Sequence, residues 1–226
     1  MTTAVIVAGG TGERLPGEVP KQLRDLGGLP ILEWSVRVFE RHPDIEDVVV
    51  VLPATLAAAP PVWLAGRARV VAGGATRVES VRRGALAAIE ATTLLIHDAV
   101  RPFASPDLIG RIVAAARRGP AIPAVPVADT IKRVDASGVV VETPDRSSLR
   151  AAQTPQGFPA ALLRELLDGM SASAEITDEG VLCELAGLEV RTVPGELSNL
   201  KITDAGDLAY ARWLVESGVI AAPSLT

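Results

Sequence analysis

The chain has 226 residues, 48% of them apolar, which is enough material for one sizeable α/β core. Its formal charge of −5 argues against a broad basic surface for nucleic acid but leaves room for a local basic pocket. No apolar run reaches the roughly 18 residues of a membrane span, and no basic leader with a long apolar core opens the chain, so a soluble, cytoplasmic protein without a membrane partner is expected.

The first predicted element is a buried strand over residues 4–8. It runs into VAGGTGERLPGEVPKQ, residues 7–22, which holds four glycines and the cations Arg14 and Lys21. The dinucleotide fingerprint fails here, because counting from Gly10 its last glycine falls on Leu15. The P-loop fails too, since the Gly12/Gly17 pair is followed by Glu18 and Val19. What remains is a glycine-rich stretch whose amides can face an anion, with two cations suited to a triphosphate and departing pyrophosphate. An exposed loop with ordinary basic residues is the competing reading. Pro20, which stiffens the approach to Lys21, weighs against it.

A helix over residues 31–41 and a buried strand over 47–52 follow. VAGGATRVESV, residues 71–81, again sets two glycines after a short strand and opens a helix over 78–90 bearing Arg77, Glu79 and Ser80. Gly73 and Gly74 lack a Cβ and can approach a planar base, while Ser80 can donate or accept; an ordinary strand–helix turn is equally compatible. A strand over 93–96 leads into IHDAVRPF, which puts Asp98 and Arg101 where open α/β sheets bind ligands. There Asp98 can hold a metal or sugar hydroxyls and Arg101 a phosphate, or the two can form a capping salt bridge. His97 reads as a packed residue, not a base.

A helix over 106–118 and a strand over 121–125 continue the alternation, which indicates a mostly parallel sheet with helices on both faces. Residues 129–149 break it: strand-like pieces at 130–134 and 139–143 flank Asp135-Ala136-Ser137-Gly138, a hairpin signal with Gly138 suited to positive φ. A lone hairpin is marginal in water, so it packs on a partner subunit or decorates the main sheet. Thr130, Lys132, Arg146, Thr154, Thr177 and Lys201 are single polar residues with no signal of their own. Cys183 is the only cysteine, so no internal disulfide forms, and its apolar neighbours mark it as a buried thiol. A helix over 204–216 with Asp204 as N-cap closes the pattern.

Taken in order, AGGTGER…PKQ, GGATRVESV, HDAVRP, DTIKR, DR…QTPQ, ITDE and NLKIT resemble the 2-C-methyl-D-erythritol 4-phosphate cytidylyltransferases, from about Ala4 to Val215. The resemblance implies a single Rossmann-like nucleotidyltransferase domain, residues 1–226, with 129–149 as a β-arm that builds a homodimer. It implies CTP and a polyol phosphate as substrates and Mg²⁺ as cofactor, held mainly by the CTP phosphates, with no protein metal ligand assigned. Carried over by position, Arg14, Lys21 and Lys201 are the catalytic cations. Ala8, Gly9, Gly10, Gly12, Gly74, Ser80, Asp98 and Ala99 line the CTP site. Arg101, Thr130, Arg146, Thr154 and Thr177 hold the acceptor, with Thr130 and Arg146 reaching it from the partner's arm. Ribitol 5-phosphate is the alternative acceptor, and a non-catalytic nucleotide sensor the alternative of another class. Ala75 departs from the family, which commonly carries a polar residue there.

Overall fold

The computed structural model describes residues 1–9, 19–171 and 176–223. Strand β1 (Thr2–Val7) lies at the middle of the main sheet, and a short β2–β3 pair (Asp25–Leu26, Leu29–Pro30) leads into α1 (Ile31–Glu40). Then come β4 (Asp47–Leu52), α2 (Ala54–Ala58), β5 (Arg69–Ala72), α3 (Arg77–Ala87), β6 (Thr93–Asp98), α4 (Pro106–Ala116) and β7 (Ala121–Pro126). A separate hairpin, β8 (Arg133–Val134) and β9 (Val140–Glu142), precedes β10 (Arg150–Ala152), β11 (Gln156–Pro159), α5 (Ala160–Asp168), α6 (Gly180–Leu185), β12 (Arg191–Pro194) and α7 (Ala205–Glu216).

The main sheet has eight strands in the order β10-β7-β11-β6-β1-β4-β5, with β12 also paired to β7. β1 pairs parallel with both β4 and β6, whereas β11 runs antiparallel to β6 and β7. The alternating side chains of β1 and β4 explain the two-sided core. Ala4, Ile6, Val48, Val50 and Leu52 meet α1 and α4 through Leu32, Val36, Phe39 and Ile112. Val5, Val49 and Val51 meet Val78, Val81 and Leu163 of α3 and α5 on the other face. Gly84 lets α3 seat directly on β1 and β4: an added Cβ would collide with Val5 and lie 2.9 Å from Val51. Leu26, Trp34, Phe103 and Leu208 form a third cluster, under α7.

α3 and α5 cap one another. Arg82 of α3 donates to the carbonyl of Leu167 in the last turn of α5 (3.1 Å) and to that of Met170 just past it (2.6 Å). Arg164 of α5 donates to the carbonyls of Ala85 and Ile89 (both 3.2 Å) at the end of α3. These carbonyls lie in or just past the last turn of each helix, where few amides remain to pair with them.

The expected alternation is present, with shifted ends. The strand expected over 4–8 runs from Thr2 to Val7, that over 93–96 reaches Asp98, and the helix over 78–90 starts at Arg77 and stops at Ala87. Asp204 caps α7 as expected, its carboxylate accepting from the Asp207 amide at 3.0 Å within a capping box. β10, β11, β12, α5 and α6 were not anticipated; Gln156–Pro159 pairs as a strand despite its glycine and proline. Gly157 is what lets β11 pass under α4, since a Cβ there would sit 2.6 Å from Ala116.

The hairpin forms over the expected segment, shorter than the sequence suggests, and Gly138 takes φ +86° in its turn. It makes its own two-stranded sheet and does not extend the main one. Residues 128–143 are all exposed, including Val134 (52%), Val139 (60%) and Val140 (53%). Among the described residues, no helix is long and apolar enough to cross a membrane.

Candidate functional site

After β1 the chain crosses to β4 and β5, then returns to lay β6 on the other side of β1. The direction of winding reverses between β1 and β6, and open α/β sheets bind ligands in the crevice beyond the strand ends at such a point. Val7 and Asp98 face each other there in register. The Ala99 amide donates to Val7 O (3.0 Å) and the Ala8 amide to Val51 O (2.9 Å), so both chains leave the sheet under control. Buried Gln22 donates from Nε2 to Ala8 O at 3.0 Å and pins the far end of the glycine-rich stretch to its start. Gly10, Gly12 and Arg14, assigned to nucleotide binding and catalysis, lie outside the described residues.

Asp98 is the hub. Lys201 Nζ lies 2.7 Å from its Oδ2, and Arg77 Nη2 lies 3.2 Å from its Oδ1. The same Arg77 fork holds both oxygens of Glu179, with Nη2 to Oε2 at 3.1 Å. Burial alone would raise the Asp98 pKa, but Arg77 and Lys201 outweigh it and hold the carboxyl well below the usual range. For Glu179 burial wins over Arg77 and pushes the carboxyl up. Arg77 itself loses by burial but gains more from Glu179 and Asp98, so it stays firmly charged.

The second lysine arrives from the other end of the sequence. Lys21 follows Pro20 in a 3-10 turn, Lys21–Leu23, and reaches Thr203 O at 3.4 Å, two residues beyond Lys201. Arg101 donates to Asn199 O (2.8 Å) and Ala152 O (3.4 Å), and its buried Nε has no hydrogen-bond partner among the described residues. The capping salt bridge to Asp98 is therefore not what Arg101 makes. Its guanidinium is held by carbonyls, with a donor to spare for an anion.

Thr154 is placed beneath the site. Its hydroxyl accepts from the Asp98 amide (3.0 Å) and donates to His97 Nδ1 (3.1 Å), while His97 Nε2–H donates to Arg101 O (3.1 Å). That pattern requires neutral His97 with the proton on Nε2. His97 is fully buried against Phe39, and burial lowers its pKa to about 4. It is a packed residue, as the sequence suggested. The linkage sign follows: the unfolded chain binds this proton more readily, so stability contributed by His97 is present above about pH 6.5 and is lost as pH falls towards 4. NMR titration of the His97 ring protons should report a midpoint near 4, and one near 6.5 would contradict the buried network.

The second glycine pair is tied down by its own helix. Ser80 Oγ accepts from the Gly74 amide (3.1 Å) and donates to Thr76 O (2.9 Å). Arg83 donates to Gly73 O at 2.8 Å and pairs with Glu79. A Cβ on Gly74 would strike the Glu79 side chain, so glycine is required there by a neighbouring residue. Gly9 abuts the same hydroxyl, its notional Cβ 3.2 Å from Ser80 Oγ, so the two glycine loops meet at Ser80. Thr177 is exposed, one residue before Asp178 and two before Glu179. Thr130 and Arg146 are exposed on the hairpin segment, where Arg146 donates to Ala128 O at 2.7 Å.

Arg77, Glu179 and Asn199 were not singled out as site residues, although each lies inside a quoted motif. Asn199 is fully buried and donates to Thr154 O at 2.8 Å. Buried Cys183 has its thiol pushed up to about 11 by its surroundings, burial foremost, which makes it inert as a nucleophile at neutral pH.

A switch point where Gly9 and Gly74 meet at Ser80, and where Lys201 and Arg77 hold one carboxylate, defines a nucleotide-binding α/β protein built to stabilise phosphate charge. The family model described as IspD, 2-C-methyl-D-erythritol 4-phosphate cytidylyltransferase, matches residues 2–217. A relative of that name from Frankia casuarinae is 45% identical over 94% of this chain and 80% of its own. One from Rhodococcus opacus is 45% identical over 95% of both chains. The solved enzyme of that name from Thermus thermophilus superposes with TM-score 0.78 at 36% identity, covering 93% of this chain and 96% of that one. The chain belongs to the 2-C-methyl-D-erythritol 4-phosphate cytidylyltransferase family.

Proposed function

We propose that this protein transfers the cytidylyl group of CTP to 2-C-methyl-D-erythritol 4-phosphate, giving 4-diphosphocytidyl-2-C-methyl-D-erythritol and pyrophosphate for isoprenoid biosynthesis. The observation that carries the reading is Lys201 paired with Asp98 at the β1/β6 switch point, with Lys21 reaching the backbone two residues beyond Lys201, in a chain of this family. An oxygen of the acceptor phosphate attacks the α-phosphorus in line, a new P–O bond forms, and the bond to the bridging oxygen of the β-phosphate breaks. The acceptor phosphate is already largely deprotonated near neutrality, so no side-chain base is required. Catalysis is then positioning and charge stabilisation.

In this reading Ala8, Gly9, Gly74, Ser80 and Ala99 shape the nucleotide pocket, with Asp98 near the ribose. Lys201 and Lys21 face the α-phosphorus, and Arg14 faces the β,γ-phosphates. Arg101 and Thr177 receive the acceptor, with Thr154 holding the floor. Mg²⁺ bound to the triphosphate would neutralise charge on the leaving group. Both Asp98 oxygens are committed to Arg77 and Lys201, so the ion's ligands would be chiefly phosphate oxygens and waters.

The same reading takes residues 1–226 as one domain and makes the exposed hairpin a dimerisation arm. A free two-stranded hairpin with bare valines is unstable alone. Pairing with a second copy would cover Val134, Val139 and Val140 and deliver Thr130 and Arg146 to the partner's acceptor site. Charged metabolites such as CTP and a polyol phosphate place the enzyme in the cytoplasm.

Pyrophosphate release from CTP should occur with methylerythritol phosphate. Turnover with ribitol 5-phosphate alone would overturn the acceptor assignment. CTP binding without any turnover would favour a nucleotide sensor.

A further inference from the structure

Arg77 is the first residue of α3, yet its charge is spent away from that helix. One planar fork touches two carboxylates carried by different parts of the chain: Asp98, at the end of β6, and Glu179, the residue before α6. Asp98 stands beside Lys201, on the nucleotide side. Glu179 closes the turn holding Thr177 and Asp178, on the acceptor side, and the next amide, Gly180, donates to Gln156 Oε1 at 3.1 Å on β11. Glu179 is 2% exposed, and Arg77 is its salt-bridge partner among the described residues. A carboxylate buried this deeply is costly unless paired, so its position follows the guanidinium.

We propose that Arg77 is a positioning residue for the transfer reaction: by gripping Asp98 and Glu179 with one rigid fork, it sets the nucleotide and acceptor subsites at a fixed separation. The inference rests on the function proposed above and deepens it. In-line transfer needs the acceptor oxygen aligned with the α-phosphorus, and an error of about 1 Å costs up to about 100-fold in rate. A guanidinium can serve three carboxylate oxygens at defined angles, whereas an ammonium is a point charge without that geometry. Glu179 thus acts through Arg77, and Arg77 through Asp98 and the 177–179 turn.

The test uses the full-length enzyme, with Arg77→Lys and Glu179→Gln. Arg77→Lys keeps the charge and loses the fork. It should lower kcat/KM about 100-fold and raise the KM of both CTP and the acceptor, with a melting temperature close to that of the wild type. Glu179→Gln loosens only the acceptor side: the KM for the acceptor phosphate should rise about tenfold while that for CTP stays within about threefold. Equal shifts in both KM values for Glu179→Gln, or Arg77→Lys kinetics within about threefold of wild type, would reduce Arg77 to a buried ion pair and overturn the proposal. If Arg77→Lys does not fold, the split in Glu179→Gln decides alone. Wild-type enzyme assayed in parallel separates the two claims. Failure to turn over methylerythritol phosphate defeats the functional reading itself, whereas the outcomes above defeat the Arg77 inference against an active wild type.

Discussion

Lys21→Ala is expected to lower kcat by roughly 100- to 1,000-fold, the scale seen when one fixed donor to a developing transition-state charge is removed. The fold should be nearly indifferent. Lys21 is half-buried at the lip of the site, and its 3.4 Å contact to Thr203 O is too long to hold much together. The same charge also faces Asp207, whose carboxyl is held below its usual range, by its Thr203 hydrogen bond foremost. Losing Lys21 leaves that carboxylate in its capping box, so α7 keeps its start. The measurement is pyrophosphate release at saturating CTP and acceptor, beside a thermal unfolding curve. Turnover within about fivefold of wild type would remove Lys21 from the chemistry, given the size of the effect such groups normally have.

Arg146→Ala should act on the acceptor alone. A charge-assisted contact to phosphate contributes about 1.5–3 kcal/mol, so the KM for methylerythritol phosphate should rise by about 10- to 100-fold with the CTP KM nearly unchanged. Arg146 is exposed and donates to the carbonyl of Ala128, the residue just before its own arm. On the function proposed above, its effect is exerted across the dimer. Mixing Lys21→Ala with Arg146→Ala chains tests this directly, because one site of each heterodimer would draw Lys21 and Arg146 intact from different chains. Activity should reappear towards half of the wild-type value in verified heterodimers. No recovery would break the shared-site reading, and a shift in CTP affinity alone would break the arm assignment.

What the sequence disclosed depended on whether a residue's role was local. Asp98 was legible because an acidic residue at the end of an apolar run is anomalous unless a ligand or a cation waits there. The hairpin was legible because Gly138 and the flanking valines carry their own signal, and its turn has the expected left-handed glycine. Gly74 was recognised as a close-approach position, but the approaching group in the structure is Glu79, in the first turn of the helix that follows.

Roles that depend on distant partners left no trace. Arg77 looks like any polar residue in a first helical turn, and its partner Glu179 lies 102 positions away. Thr154 was read as a ligand contact, and only the structure places its hydroxyl between His97 and the Asp98 amide. β10 and β12 are three and four residues long, too short for periodicity to register, and become strands because β7 offers them an edge.

The exchange of arginines between α3 and α5 has a dynamic consequence. Each helix sends a guanidinium onto carbonyls at the other's C-terminal end, so neither end can fray without releasing an arginine of its partner. The two are therefore expected to open together when amide hydrogen exchange is measured. α3 begins at Arg77 and carries Ser80, and α5 delivers the chain towards Thr177. A nucleotide that quiets the first helix should then also slow amide exchange in the second before any acceptor has bound, and unchanged exchange in α5 on adding CTP would show that the two ends open separately.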